Sequence, residues 1–251
     1  MKTFDAAIVI PCYNEASRLD IAAFREFLGG KPPIQLVLVN DGSTDATLPV
    51  LQRIAMEFPD HVHVIDQQPN RGKAEAVRVG LLAACDRAPL VGFWDADLAT
   101  PFIVMFQFIS VMASRPDVEW VLGSRVKLLG RRIDRSELRH YLGRVFATGA
   151  SMTLGLGVYD TQCGAKIFRA TPRFRSLIEQ PFLTRWIFDV ELIARLTAAH
   201  RRKEAPAPAE IIFEAPLDVW HDVAGSKVKP TDFIRSGLEL VRIWWHYLRQ
   251  A

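Results

Sequence analysis

Cysteine is scarce: the 251 residues hold three, Cys12, Cys85 and Cys163, with no C-x-x-C pair. An odd, widely spaced set excludes a disulfide framework and offers no zinc-ligand spacing. These residues read as small buried side chains in a reducing compartment. Long hydrophobic runs are also lacking, since no apolar stretch reaches the roughly 18–20 residues that span a bilayer. Met1-Lys2-Thr3-Phe4-Asp5 runs almost directly into a strand and leaves no room for a signal peptide. The expectation is a cytoplasmic chain, soluble or peripheral on the inner face of the membrane. A large charge of one sign is absent as well, and a net +3 is too small to imply a nucleic-acid partner. Hydrophobic residues at 49% and charged residues at 24% exclude disorder. There is no internal repeat and no low-complexity tract.

What is present is a rhythm. Strand-like runs at 6–10, 35–40, 62–66, 90–94 and 120–123 alternate with helical patterns at 19–28, 46–58, 73–85 and 101–114. Continuous apolar strands separated by helices predict an α/β fold, a mostly parallel sheet covered by helices on both faces. In such a sheet ligands bind beyond the carboxyl ends of the strands, near a topological switch point. After residue 125 the pattern changes to a basic loop, a helix at 140–154, a strand at 165–169, a helix at 188–200, a loop at 203–208 and a strand at 210–215. One domain over 1–229, divided near 124, is expected, followed by an amphipathic helix over 230–251 with Thr231 as its N-cap.

Asp95-Ala96-Asp97 follows the fourth strand. Residues two apart in an extended segment point to one side, so both carboxylates can face one ligand. A pair of hard oxygen donors suits Mg²⁺ or Mn²⁺, whose shell is completed by water and phosphate oxygens. Acids often stand before a helix as caps, but Thr100-Pro101 supplies an N-cap and an N1 proline, leaving the two aspartates without that task.

Other polar clusters also sit at expected strand ends. Pro11-Cys12-Tyr13-Asn14-Glu15 must turn sharply after the first strand. In Asn40-Asp41-Gly42-Ser43-Thr44-Asp45 the hydroxyls or Asp45 can cap the next helix, and Asp41 is left to accept hydrogen bonds from a base or ribose. Asn70-Arg71-Gly72-Lys73 sets two cations at a helix N-terminus, where a bound phosphate would offset their unfavourable position. It lacks the spacing of a Walker loop.

Together these segments resemble the GT-A glycosyltransferases of family 2. Gly123-Ser124-Arg125, Asp160-Thr161-Gln162-Cys163-Gly164-Ala165-Lys166-Ile167-Phe168, Arg185 to Leu192 and Gly225-Ser226-Lys227 resemble dolichyl-phosphate β-glucosyltransferases and bacterial polyprenyl-phosphate relatives. The resemblance runs from about residue 6 to 227. It implies an inverting, metal-dependent transfer of a sugar, with UDP-glucose favoured as donor and a polyprenyl or dolichyl phosphate as acceptor. Residues 1–124 would form the nucleotide-sugar half and 125–229 the acceptor half. Pro11, Tyr13, Asn14, Glu15, Asp41, Ser43, Lys73, Asp95 and Ala96 would line the donor site, with Asp95 and Asp97 at the metal. Asn40 stands where many relatives have a second aspartate, and Ala165 where many have an aromatic residue.

On the acceptor side, residues 125–144 hold seven basic residues against two acids, which suits a phosphorylated ligand or an anionic membrane face. Arg125, Arg131, Arg135, Arg139, Gln162, Trp186 and Lys227 are the candidate acceptor contacts. Asp189 can be read as a general base or as an acid favourably placed at the start of a helix. A phosphate acceptor is already nucleophilic at neutral pH and needs positive charge more than a base. In the C-terminal helix Arg235, Arg242 and Arg249 form a stripe, with Trp244, Trp245 and Tyr247 gathered near its end. Contact with lipid headgroups, packing on the sheet and a homo-oligomer contact all remain open for it.

Overall fold

A computed structural model describes residues 4–134, 137–221 and 230–249. The first half runs β1 (Ala6–Cys12), α1 (Ile21–Gly29), β2 (Ile34–Asp41), α2 (Thr47–Glu57), β3 (Val62–Gln67), α3 (Lys73–Cys85), β4 (Leu90–Trp94), α4 (Ile103–Ser114) and β5 (Trp120–Ser124). The second runs β6 (Arg132–Asp134), α5 (Glu137–Leu154), β7 (Ala165–Arg169), α6 (Pro172–Glu179), α7 (Phe188–Arg201), α8 (Pro208–Ile211), β8 (Ile212–Pro216), β9 (Val219–His221) and α9 (Pro230–Ile243). A π-helical turn, Trp244–Leu248, continues α9.

Seven strands form one sheet in the order β3-β2-β1-β4-β7-β5-β8, and β6 pairs with β9 in a small second sheet. β1, β2, β3 and β4 are mutually parallel, as are β5 and β8, while β7 runs antiparallel to both β4 and β5. The chain winds outward from β1 through β2 to β3, then returns to β1's other side with β4. That reversal makes the β1–β4 boundary the switch point, where a crevice opens at the carboxyl ends.

Alternation along the strands divides the core. Val9, Val37, Val39 and Phe93 face α3 and α7, while Ile8, Ile10, Leu36, Leu38 and Trp94 face α1, α2 and α4. Phe24 and Leu28 sit four residues apart on α1 and are fully buried, each removal of such a side chain from water contributing roughly 1.5–3 kcal/mol. The three cysteines are buried and form no disulfide.

The expected strands and long helices are present, except that the strand expected at 210–215 begins at Ile212, and the structure adds α6, α8, β6 and β9, which the apolar pattern did not indicate. α6 is capped by Thr171, whose Oγ1 accepts from the Phe174 N–H at 3.1 Å, with Pro172 in its first turn. This is the Thr-Pro signal that the sequence reading assigned to Thr100-Pro101. There the helix starts later, at Ile103, because the Thr100 carbonyl is turned inward to accept the Trp94 indole N–H at 2.7 Å. Thr231 also does not precede its helix, which runs from Pro230.

Asn40 is fully buried and donates from Nδ2 to Asp66 Oδ1 at 2.7 Å across β2 and β3. An aspartate there would face a second carboxylate without a proton to share. Asn40→Asp is therefore expected to cost about 1–3 kcal/mol at neutral pH. The repulsion raises the new carboxyl's folded pKa above its unfolded value, so the loss should shrink as pH falls through the folded pKa and be gone at about pH 4. Urea unfolding at the two pH values measures both.

Candidate active site

Two loops at the carboxyl edge are laced together. Asn14 adopts a left-handed conformation (φ 49°), which asparagine tolerates. Its backbone N–H donates to Ser43 Oγ at 3.0 Å, and its Oδ1 accepts from the Thr44 N–H at 2.8 Å. The Glu15 N–H donates to Thr47 Oγ1 at 2.8 Å, and the Glu15 carboxylate pairs with Arg18 at 3.0 Å. Pro11 is half-buried at the end of β1, and Tyr13 extends 40% exposed beside it. At the start of α2 the Asp45 carboxylate, not a hydroxyl, accepts from the Thr47 N–H at 2.9 Å.

Asp41 is nearly completely buried and its carboxylate accepts four hydrogen bonds. Oδ1 takes Gln67 Nε2 at 2.7 Å and the Arg71 N–H at 2.8 Å; Oδ2 takes Asn70 Nδ2 at 2.8 Å and the Gly72 N–H at 2.9 Å. Four bonds fill the acceptor capacity of a carboxylate. Asp41 thus folds the 67–72 loop back onto β2 and fixes where α3 begins. Gly42 permits the approach: its φ is +63°, and a Cβ there would lie 2.3 Å from the Asn70 nitrogen.

α3 begins with Lys73, whose Nζ meets Asp95 Oδ1 at 2.5 Å. The cation that the sequence left unfavourably at a helix N-terminus is thus answered by a carboxylate of the chain. Burial disfavours its charge, but Asp95 foremost, then Asp189 and Asp97, hold it above its ordinary pKa. The Arg185 side chain also reaches this helix start, since a Cβ on Gly72 would lie 3.1 Å from Arg185 Nε.

Asp95 follows β4 and donates its N–H to the Gly164 carbonyl at 2.9 Å. Gly164 has to lack a side chain, because a Cβ would sit 1.9 Å from Asp95 Oδ2. Ala96 is buried, and Leu98 is left-handed (φ 51°), an unfavourable conformation for a bulky residue and a mark of strain often found at working sites. Asp97 Oδ1 accepts from the Ala99 N–H at 3.1 Å. Asp97 therefore has a local turn-forming task, contrary to the expectation that rested on Thr100-Pro101. Burial and the nearby Asp95 raise the Asp97 carboxyl above its usual range, while the Ala99 N–H, Lys73 and Arg18 oppose this.

On the side that the sequence assigns to the acceptor, Asp189 lies buried in the first turn of α7. Its Oδ1 accepts from Gln162 Nε2 at 2.8 Å and its Oδ2 from Lys166 Nζ at 3.0 Å. Lys166, 1% exposed in the middle of the sheet, also donates to the Thr161 and Cys163 carbonyls at 2.9 and 2.6 Å. Arg125 forms a two-pronged pair with Asp160 at 2.7 and 2.8 Å. Burial opposes ionisation of both groups, but their mutual attraction outweighs it, lowering Asp160 and raising Arg125. Burial also pushes the adjacent Cys163 thiol up to about 11, so it is no thiolate nucleophile. Arg131 pairs with Asp218, and Arg144 stacks on Tyr159 with its Cζ 3.9 Å from the ring centre. The basic excess counted along 125–144 is therefore smaller in space, because acids from distant segments meet it. Trp186 is exposed; Arg135, Lys227 and the Arg139 side chain lie outside the described residues.

The structure thus gathers Lys73, Asp95, Asp97, Gln162 and Asp189 at the β4 end of the crevice. Among the described residues no group of three His, Cys, Asp or Glu converges as a ready metal cage. Asp95 and Asp97 would provide two carboxylates, the donor set suited to a hard divalent ion whose remaining ligands are water and phosphate. The residues missed in sequence are Lys166, Asp160 and Arg185. A lysine among the apolar residues of 165–168 was the available signal for the first.

A sequence model of glycosyl transferase family 2 matches residues 7–172. The dolichyl-phosphate β-glucosyltransferase of Drosophila melanogaster is 32% identical, over 98% of this chain and 76% of its own length. That of Saccharomyces cerevisiae is 32% identical over 96% and 75%. Among solved structures, glucosyl-3-phosphoglycerate synthase of Mycobacterium tuberculosis with Mn²⁺, UDP-glucose and phosphoglyceric acid superposes with a TM-score of 0.66. At 17% identity, over 96% of this chain and 78% of that one, the likeness is of fold. The sheet is that of the GT-A fold.

The raised Asp97 carboxyl has a consequence for stability. A folded pKa above the unfolded one means that ionising Asp97 costs the metal-free fold; the contribution is favourable in acid and is lost as pH rises through the folded pKa. Asp97→Asn should therefore raise the melting temperature of metal-free protein at pH above about 7, with the gain vanishing near pH 4. Added Mn²⁺ should raise the melting temperature of the wild type and leave the variant unmoved, as scanning calorimetry would show.

Proposed function

The chain belongs to glycosyl transferase family 2, and from that premise we propose that it transfers glucose from UDP-glucose to a polyprenyl or dolichyl phosphate at the cytoplasmic face of a membrane, with inversion at the sugar. The observation that carries the donor half is the Asp95–Asp97 pair at the carboxyl end of β4, beside Lys73 and the N-terminus of α3. Asp95 and Asp97 would hold a divalent cation, Mg²⁺ or Mn²⁺, which when bound would supply Lewis-acid stabilisation to a departing diphosphate. Lys73 and the α3 N-terminus add positive potential on the same side, and Asn14, Ser43 and Tyr13 shape the wall towards the nucleoside. The lipid-phosphate acceptor is supported by relatives about 30% identical over nearly the whole chain that are named dolichyl-phosphate β-glucosyltransferases.

The environment of Asp189 favours the same acceptor. Both of its oxygens are engaged, one by Gln162 and one by buried Lys166. With both oxygens held by the chain the carboxylate is not free to meet a substrate hydroxyl, and a phosphate acceptor needs no base. A saccharide or small-molecule hydroxyl acceptor, the rival reading, requires a base here.

Three measurements test this. Labelled nucleotide sugars are screened with polyprenyl phosphate and the label extracted into organic solvent: UDP-glucose is expected to give lipid-soluble product, and no product from any donor overturns the reading. Asp97→Ala should remove transfer, and retained near-normal rates would refute the metal assignment. Asp189→Asn should lower kcat with the phosphate acceptor by less than the roughly 10²–10⁴-fold that loss of a general base costs.

A further inference from the structure

The outer faces of α5 and of the C-terminal helix form one apolar surface. On α5, Tyr141, Val145 and Met152 recur at intervals of four and seven; on α9 and its π-helical turn, Leu238, Val241 and Trp245 recur at three and four. All six are between 60% and 79% exposed. Such spacing places each trio on a single helix face. Each helix buries its opposite face against the body, α5 through Ala147, Ala150 and Leu154, the C-terminal helix through Ser236, Ile243 and Leu248. The two lie side by side, with a Cβ on Gly149 only 3.7 Å from Leu240 Cδ1, so the outer faces are neighbours.

Along the stretches that carry these six side chains the outward charge is of one sign. Residues 141–155 contain no acid, and the sole acid of 235–249 is Glu239. Its carboxylate is turned inward, accepting from the Arg185 and Ile187 N–H groups at 3.4 Å. Arg235, Arg242 and Arg249 are exposed, and the Arg249 guanidinium lies 3.6 Å over the Trp245 ring. A second copy of the chain would set arginine rims against one another, with no outward acid among the described residues of 141–155 and 235–249 to pair them. Anionic headgroups complement them, and tryptophan beside arginine suits the headgroup layer.

We propose that the joint outer face of α5 and the C-terminal helix docks this protein on an anionic lipid bilayer. The proposal deepens, and takes its purpose from, the reading of a lipid-phosphate acceptor. The same helix holds the acceptor-side loop: besides the two bonds to Glu239, Arg242 donates to the Leu183 carbonyl at 3.1 Å. A bilayer seated on this face therefore lies beside the loop that carries Arg185 and Trp186.

The test is vesicle flotation of the full chain without donor or acceptor. Binding to vesicles of one part anionic to three parts zwitterionic lipid should exceed binding to purely zwitterionic vesicles by roughly a hundredfold, each of three near-surface arginines contributing roughly fivefold. The triple variant Leu238→Glu, Val241→Glu, Trp245→Glu should lose this binding, as should the separate pair Val145→Glu, Met152→Glu on α5. Met56→Glu, an equally exposed apolar site on α2, should keep it. Transfer to a short-chain, water-soluble polyprenyl phosphate should persist in all of them, which also shows that they fold. Wild type that ignores anionic vesicles, or variants that still bind them, overturns the docking surface. So does a wild-type dimer, seen by sedimentation, that the same substitutions dissociate while vesicle binding is absent. Vesicle binding without sugar transfer from any donor would instead sink the acceptor reading and leave the surface standing.

Discussion

The four hydrogen bonds to the Asp41 carboxylate are the constraint on which the site depends. They turn the 67–72 loop back against the end of β2, so α3 begins where Lys73 can reach Asp95. Asp95 is fixed in turn by its N–H on the Gly164 carbonyl, and the same 161–164 turn supplies two carbonyls to Lys166, which holds Asp189. Polar contacts thus link β2, α3, β4, β7 and α7 across the carboxyl edge of the sheet. A buried carboxylate is expensive unless every acceptor direction is filled. Asp41 meets that condition entirely from within the chain.

Much of the charge around the crevice is matched in the same way. Arg125 answers Asp160, Lys166 answers Asp189, and Glu191 is buried beside Arg195. Breaking one partner of such a pair leaves an unpaired charge in low dielectric and is far costlier than losing a surface bridge. The compensated pairs shape the walls, whereas Asp97 is only partly compensated, and under the proposed function that is the group left to meet a cation. The difference separates groups that position from groups that bind.

The 183–191 segment is built around the C-terminal helix. Glu191 accepts from the Leu183 and Thr184 N–H groups, from Arg195 and from the Tyr247 hydroxyl. Burial and the Glu191 charge push that hydroxyl up to about 12, so it remains a donor at any physiological pH. Together with the bonds from the loop to Glu239 and Arg242, this ties the 183–187 segment to α9 and its π-helical turn. The C-terminal helix is therefore a structural partner of the 183–187 segment and of the start of α7.

The sequence by itself determined the sheet, because six of its seven strands lie parallel in direction and are marked by continuous apolar runs between amphipathic helices. It also placed Asp95, Asp97, Asn14 and Asp41 at carboxyl ends, where strand geometry alone brings them to one edge. Short elements escaped it: β6 and β9 hold three residues each, too few to show a period. The Thr-Pro helix signal was legible but ambiguous, occurring at residues 100–101 and at 171–172. Only the Trp94 indole, which takes the Thr100 carbonyl, decides between them. Which charges are available could not be read along the chain, because pairs such as Arg125–Asp160 and Arg131–Asp218 join residues 35 and 87 positions apart. Local spacing fixes which residues share an edge or a helix face. Compensation of buried charge depends on what the tertiary fold brings opposite, and that decided which of these groups are already paired within the chain.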